Sequence, residues 1–311
     1  MGDEHGCTFS VVTPTFNREA ELPRLYASLR AQTFTDFEWV LADDGSTDGT
    51  QALVEQWTRE APFPIRYSWE PNRGRHLAHN RGVEQASGRF CALSDSDDWY
   101  APTALERFLH HWESIPDDLK PLYANVGGLF AHENGDVVGT PFPSEVFDST
   151  QFEFRFVWGV VGDKSNMFRT DVLRRFPFPH YEERAWVPPS LVWNRIATHY
   201  KSRFVNEVVA YKEYLPGGYT HKGIGGRVKD SSARRVYYQE LLAMERRITP
   251  DVKLRYTGNY ARHSFHQGIG LRRQRDEAPS RRMWLATLPL GVALYLRDRR
   301  ALRKAAAERG T

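Results

Sequence analysis

Apolar residues recur with two rhythms in the first third of the chain. Phe9 to Thr13 (FSVVT) is a short β-branched run that stops at Pro14, the pattern of a buried strand. Glu19 to Gln32 places Leu22, Leu25, Tyr26 and Leu29 at helical spacing. Glu38 to Ala42 (EWVLA) is a second buried strand, and it opens onto the polar run DDGSTDGT, which can cap the next helix near Thr50. Leu53, Val54 and Trp57 give that helix its apolar face. Ile65 to Trp69 predicts a third strand, His76 to Ala86 a helix, and Phe90 to Leu93 (FCAL) a fourth strand running into SDSDD. Alternating strands and helices predict an α/β fold, a mostly parallel sheet flanked by helices with right-handed crossovers. Ligands of such sheets bind beyond the carboxyl ends of the strands, where the polar loops of this chain converge.

Past residue 120 the pattern loosens. Val126 to His132 and Asp136 to Gly139 predict a hairpin through the Asn134-Gly135 turn. Residues 171–176, 189–200 and 233–247 read as helices. The expected organisation is an α/β body over 1–232, with halves 1–110 and 111–232, followed by a helical extension over 233–311.

Charge sharpens that division. The 311 residues carry a net +3. Residues 250–311 hold 14 Lys and Arg against 5 Asp and Glu, a net +9, which leaves −6 for residues 1–249. Two cysteines, Cys7 and Cys91, are too few for a disulfide framework and favour a reducing compartment. The N-terminal segment has no basic-then-apolar signal pattern, and no apolar run reaches the ~18 residues of a membrane span. Disulfide scaffolds, channels and collagen-like chains are excluded.

Two acidic clusters sit directly after predicted strands. Asp95-Ser96-Asp97-Asp98 gathers carboxylates that repel one another unless compensated, and Mg²⁺ or Mn²⁺ compensates through hard oxygen ligands. A solvated acidic turn uses the same residue types. In Asp43-Asp44-Gly45-Ser46 a carboxylate can accept from a base N–H while small residues admit a nucleotide, and a simple turn before a helix cap needs those residues too.

Read together, VVTPTFNR (Val11 to Arg18), QTFTDFEWVLADDGSTDGT (Gln32 to Thr50), HNRGVEQASGRF (His79 to Phe90) and ALSDSDDWY (Ala92 to Tyr100) resemble the family 2 glycosyltransferases. That resemblance covers about the first 110 residues and implies the GT-A fold, a nucleotide-binding α/β domain with a D-x-D metal site. It implies that Thr13 and Pro14 line the base pocket and that Asp43 and Asp44 hold the base and ribose of a nucleotide-sugar, most often a UDP-sugar. Arg75 would lie near the nucleotide, and Asp95 with Ser96 near the ribose. Asp95 and Asp97 would form the metal site for Mn²⁺ or Mg²⁺ at the diphosphate, with Asp98 holding a water of that metal.

Farther on, GDKSNMFRTDVLRRFPFP (Gly162 to Pro179) and YEERAWVPPSLVWNRIATHYKSRFVNEVV (Tyr181 to Val209) resemble a bacterial subgroup of that family, which reads Phe-Glu-Gly-Glu before a Val-Pro pair. Here the stretch is Tyr181-Glu182-Glu183-Arg184, so the catalytic base stands open between Glu182 and Glu183. A single base in one displacement implies inversion at the anomeric carbon. Trp99, Asp163 and Lys164 are the acceptor-side candidates. Trp99, Trp158, Trp186 and Trp193 can stack on sugars or pack in the core, and core packing is the expectation for each. Tyr214 to Gly226, with His221, reads as a glycine-rich lid.

Met283 to Leu296 (MWLATLPLGVALYL), flanked by arginines, suits either the interface of an anionic membrane or packing on protein. No nucleic-acid-binding motif accompanies the basic tail, so nucleic acid is not an expected partner. The expectation is a metal-dependent inverting glycosyltransferase, cytoplasmic or peripheral on the inner face of the cytoplasmic membrane, acting on a saccharide or lipid-linked acceptor in surface-glycan or glycolipid assembly. The alternatives are transfer to a small-molecule natural product, or an inactive scaffold that binds nucleotide-sugar. Nothing in the sequence fixes the oligomeric state.

Overall fold

The computed structural model describes residues 6–181, 186–213, 223–244 and 248–307. The chain forms two compact units, one of residues 1–179 with 192–213, the other of 180–191 with 214–311.

The first unit opens with β1 (Cys7–Thr15), α1 (Leu22–Arg30), β2 (Phe37–Asp43), α2 (Thr50–Glu60), β3 (Ile65–Trp69), α3 (Arg75–Gln85) and β4 (Gly88–Leu93). These are the strands and helices that the periodicity predicts. Leu22, Leu25, Tyr26 and Leu29 are the buried face of α1. There follow β5 (Asp98–Tyr100), α4 (Ala104–Glu113), β6 (Tyr123–Ala131), β7 (Val146–Ser149), α5 (Gln151–Phe156), β8 (Lys164–Arg169), α6 (Thr170–Arg175), α7 (Pro189–Ala197) and β9 (Lys201–Lys212).

The sheet order is β3-β2-β1-β4-β8-β6-β9-β5, with β7 also on β9. The half built from the first third, β3-β2-β1-β4, is all parallel. Beyond β4 the direction alternates: β8 is antiparallel to both β4 and β6, β9 runs parallel to β6, and β5 and β7 are antiparallel to β9. The sheet is therefore mixed rather than mostly parallel, since β8 enters antiparallel between β4 and β6.

Two local expectations change with their neighbours. β1 does not stop at Pro14 but runs to Thr15. Val12 accepts from Ser94 N–H on the β4 side, and Pro14 faces the same way, where the β4 ladder has already ended at Leu93. Its missing N–H therefore costs no ladder bond. Gly135 does turn the chain with φ +89°, but the return makes a single bridge, Ala131 to Val137, because β8 and β9 occupy both edges of β6.

Tyr26, Trp39 and Trp57 stack beneath the parallel half, with ring centroids 4.3 Å apart for Tyr26–Trp57 and 5.8 Å for Trp39–Trp57. Such pairs add about 0.5–1.5 kcal/mol beyond their burial. Near the amino ends of the strands, Glu38 accepts from Ser10 Oγ (2.6 Å), Ser87 N–H (2.6 Å), Ser87 Oγ (2.8 Å) and Arg66 Nε (2.5 Å). Burial raises its pKa, but those four donors outweigh burial and hold it below the usual range. One carboxylate thus ties β1, β2 and β3 to the approach to β4.

The second unit is helical: α8 (Gly223–Lys229), α9 (Ser231–Ala243), α10 (Pro250–His266), α11 (Leu271–Glu277) and α12 (Arg281–Ala307). Gly291 lets α12 close on α10, since a Cβ there would lie 2.6 Å from Ala261 Cβ. Asp298 of α12 is fully buried and accepts from Arg262 (2.5 and 2.8 Å) and His266 (3.0 Å) of α10.

Candidate active site

Asp95-Ser96-Asp97 forms a turn at the carboxyl end of β4, and Asp98 begins β5. Ser94 N–H donates to Val12 O of the central strand, and Asp98 N–H closes the turn on Asp95 O at 3.2 Å. Four side chains leave this turn with different fates. Asp95 is paired with Arg75 at the start of α3. Ser96 is buried and accepts from Arg18 Nε at 3.3 Å. Asp97 is partly buried, and Arg24 donates to its main-chain carbonyl at 3.1 Å. Its carboxylate accepts no hydrogen bond among the described residues. Asp98 is buried, which pushes its carboxyl up to about 7 against the pull of Lys212, whose Nζ lies 3.9 Å away.

Lys212 ends β9 opposite Asp98 and also pairs with Asp163 at 2.9 Å. Burial raises the Asp163 pKa, but Lys212 more than offsets this and leaves it below the ordinary carboxylate value. Lys212 escaped the sequence reading, because no local pattern brings a strand end 115 residues away beside the acidic turn. Arg75 pairs with Asp95 and Lys212 with Asp98 and Asp163, Arg155 and Lys164 add positive charge near Asp163, and Arg18 and Arg24 pair with Glu21 and Glu213.

On the β1–β2 side, Thr13 and Asp43 are fully buried and engaged within the fold. Thr13 Oγ1 accepts from the Trp39 indole at 3.0 Å. Asp43 accepts from Ser46 N–H (2.8 Å) and from the Tyr67 hydroxyl (2.6 Å). Pro14 is buried beside them. Asp44 Oδ1 accepts from Arg73 N–H at 2.7 Å, and Oδ2 accepts from Gly74 N–H at 2.9 Å. Gly74, at φ +111°, is the residue before α3, so Asp44 holds the loop that delivers Arg75. Phe16 and Trp69, at the carboxyl ends of β1 and β3, are exposed aromatics, and the Trp69 indole donates to Ser46 O at 3.2 Å. Their sequence signal, an aromatic at the strand-to-loop step, was available.

The acceptor-side candidates divide. Trp99 lies under the Arg24 guanidinium, 3.7 Å from its ring centre, and stacks on Tyr211. Asp163 joins the acidic cluster through Lys212. Lys164 instead donates to the carbonyls of Thr140 (2.9 Å), Val161 (3.1 Å) and Val138 (3.4 Å), and burial brings its ammonium down to about 8. Trp193 packs on Phe168 as expected. Trp158 is 57% exposed rather than in the core, because the turn after α5 carries it outward with Val157 and Val161. Glu182 and Glu183 lie outside the described residues, as does His221 with most of the glycine-rich segment.

The donor set fits a hard divalent cation in part. Asp97 offers oxygens with no hydrogen-bond donor on them, and Asp95 offers oxygens shared with Arg75. Among the described residues no group of three or more His, Cys, Asp or Glu is arranged around one point. Asp95 and Asp97 are the side chains here that fit a cation, as a carboxylate pair.

Residues 10–138 match the glycosyl transferase family 2 model. The chain is 26% identical over 308 residues to the uncharacterized glycosyltransferase alr2836 of a Nostoc species, covering 94% of this chain and 91% of that one. It is 37% identical over 100 residues to the poly(ribitol-phosphate) beta-N-acetylglucosaminyltransferase TarS of Staphylococcus aureus, covering 32% of this chain and 18% of TarS. The structure of S. aureus TarS 1-349 in complex with UDP-GlcNAc superposes with a TM-score of 0.66 at 18% identity, over 96% of this chain and 92% of that one. The mannosyltransferase PcManGT of Pyrobaculum calidifontis, in complex with GDP-Man and Mn²⁺, superposes at 0.57 with 16% identity, over 94% and 87% of the two chains. At these identities the two structures establish the GT-A-like α/β fold.

Proposed function

From the premise that the chain belongs to the family 2 glycosyltransferases, we propose that it transfers a sugar from a nucleoside-diphosphate donor, a UDP-sugar first, to an acceptor hydroxyl with inversion. The acceptor we propose is a saccharide or lipid-linked glycan of the bacterial surface, assembled at the inner face of the cytoplasmic membrane. Support for a surface glycan comes from the similarity to TarS, a poly(ribitol-phosphate) beta-N-acetylglucosaminyltransferase. The observation that carries the donor assignment is the Asp97 carboxylate, unpartnered among the described residues and held at the carboxyl edge of the parallel strands.

Asp95 and Asp97 would hold Mn²⁺ or Mg²⁺ beside the diphosphate. When bound, that cation neutralises charge on the leaving group as a Lewis acid. Arg75 lies on the same carboxylate and adds positive charge that can follow the phosphates. Asp44 fixes the loop before Arg75, which keeps that guanidinium at the site without the cation. Asp43, Thr13 and Pro14 shape the floor below the base and ribose. One of Glu182 and Glu183 takes the acceptor proton, since a sugar hydroxyl is a poor nucleophile at neutral pH.

Thermal shift with UDP, GDP, dTDP and CMP, each with and without Mn²⁺, tests the donor site. A metal-dependent rise with one diphosphate, lost in Asp97→Ala, is the expected result. No rise with any nucleotide sinks the donor assignment. Unchanged turnover in both Glu182→Gln and Glu183→Gln sinks the base.

A further inference from the structure

Helix α12 has two faces with different work. Trp284, Thr287, Gly291 and Asp298 are buried. Gly291 meets Ala261 of α10, and Asp298 bonds Arg262 and Arg262's neighbour one turn on, His266. At about 100° per residue, Leu285, Pro289, Val292 and Leu296 fall within a sector of about 60°, some 140° round from that buried face. All four are exposed, Leu285 at 66% and Leu296 at 46%. Arg281 and Arg282 precede this apolar stripe, and Arg299, Arg300 and Arg303 follow it, all within about 50° of its midline. Helix α12 holds seven Lys and Arg and one acid, Asp298, which is wholly inside.

We propose that this face of α12 docks on an anionic lipid surface, with Leu285, Pro289, Val292 and Leu296 in the acyl boundary and the two arginine groups on the headgroups. The apolar stripe is about 17 Å long, at 1.5 Å per residue, and lies flat rather than across, since no helix among the described residues is long and apolar enough to cross a membrane. Charge selects lipid over a second copy of the chain. Both ends of the stripe are basic, so a two-fold pairing sets arginines against arginines in parallel and antiparallel alignments alike. An anionic surface satisfies both ends at once, each arginine contributing on the order of a fivefold gain in partitioning.

The inference stands on α12 alone and goes beyond the transferase reading. Its test contains no sugar nucleotide, so its failure leaves the donor site untouched. Full-length protein is sedimented with phosphatidylcholine vesicles and with vesicles carrying 30% phosphatidylglycerol, at low and at 0.5 M salt. The expected result is at least tenfold stronger binding to the anionic vesicles, weakened by salt. Leu285→Gln with Leu296→Gln should lower that binding at least tenfold. Arg299→Glu, Arg300→Glu and Arg303→Glu together should abolish the lipid preference, with unchanged melting temperatures in both variants. Protein that stays in the supernatant with both vesicle types overturns the proposal, as does binding indifferent to both variants. Sedimentation velocity showing a dimer that the leucine variant dissolves assigns the stripe to a second copy instead.

Discussion

Asp44→Asn separates two roles that the acidic step after β2 can have. In the structure both carboxylate oxygens of Asp44 face main-chain N–H groups, Oδ1 toward Arg73 and Oδ2 toward Gly74. Asparagine keeps one acceptor and turns an NH₂ toward the other N–H, so one charge-assisted bond becomes a donor facing a donor. A hydrogen bond to a charged group contributes about 1.5–3 kcal/mol. The lost negative charge also sits at the amino end of α3, where it is worth about 0.3–1 kcal/mol more. The expected loss is therefore about 2–4 kcal/mol, read as a lower urea midpoint at unchanged slope. Because Arg75 follows directly, metal-dependent nucleotide binding should weaken by at least tenfold in the same variant. If Asp44→Asn unfolds within about 0.3 kcal/mol of the parent while nucleotide binding collapses, the loop-holding argument fails and Asp44 is a ligand contact alone.

Two further outcomes test the fold on which the site rests. Glu38→Gln should cost about 1.5–3 kcal/mol by removing the charge that Arg66 and both serines address, yet leave nucleotide-induced thermal shift intact, since Glu38 lies at the strands' amino ends. His79 packs on Phe178 with neither ring nitrogen hydrogen-bonded, and burial, helped by the charge of Arg75, takes its pKa down to about 3. The unfolded chain binds this proton below about pH 6.5 and the native one does not, so stability falls as pH drops from 6.5, by up to ~1.4 kcal/mol per pH unit. His79→Phe should flatten urea midpoints compared at pH 7.5 and 5.0, and an unchanged slope between them refutes the burial argument.

The parallel half was legible because its signals are local. A β-branched run, a polar turn and a 3.6-residue period each sit within a dozen residues, and α1 buries the four residues its spacing nominates. The acidic turn was legible for the same reason, as a run that must end a strand. What lay beyond reach depends on pairings across long sequence separations. Lys212 joins Asp98 and Asp163 only because β9 returns antiparallel to β5. The place of β8 between β4 and β6 follows no periodicity, and it also denies the Asn134-Gly135 turn a second strand. Thr13 and Asp43 were nominated by the family resemblance, and the structure adds what a motif omits: their polar atoms already have partners in Trp39, Tyr67 and Ser46.

The two ends of the parallel strands show why the chemistry belongs at one of them. At the amino end a single buried carboxylate, Glu38, meets four donors, which leaves nothing for a ligand to complete. At the carboxyl end Asp95, Asp97, Asp98 and Asp163 crowd together, the Asp97 carboxylate accepts no hydrogen bond among the described residues, and burial, with Asp97 and Asp163 nearby, pushes Asp98 up to about 7. Holding carboxylates together in a partly buried turn costs stability, and a fold under selection for stability alone would replace one of them with an amide. Carboxylates crowded at the edge where α/β sheets bind ligands, one of them without a donor, are the arrangement that a cation carried with a diphosphate would relieve. On that argument Asp97→Asn should raise the melting temperature of the ligand-free protein while abolishing its metal-dependent response to nucleotide. A variant that loses stability as well as the response would mean that Asp97 serves the fold, and the carboxylate-crowding argument would go with it.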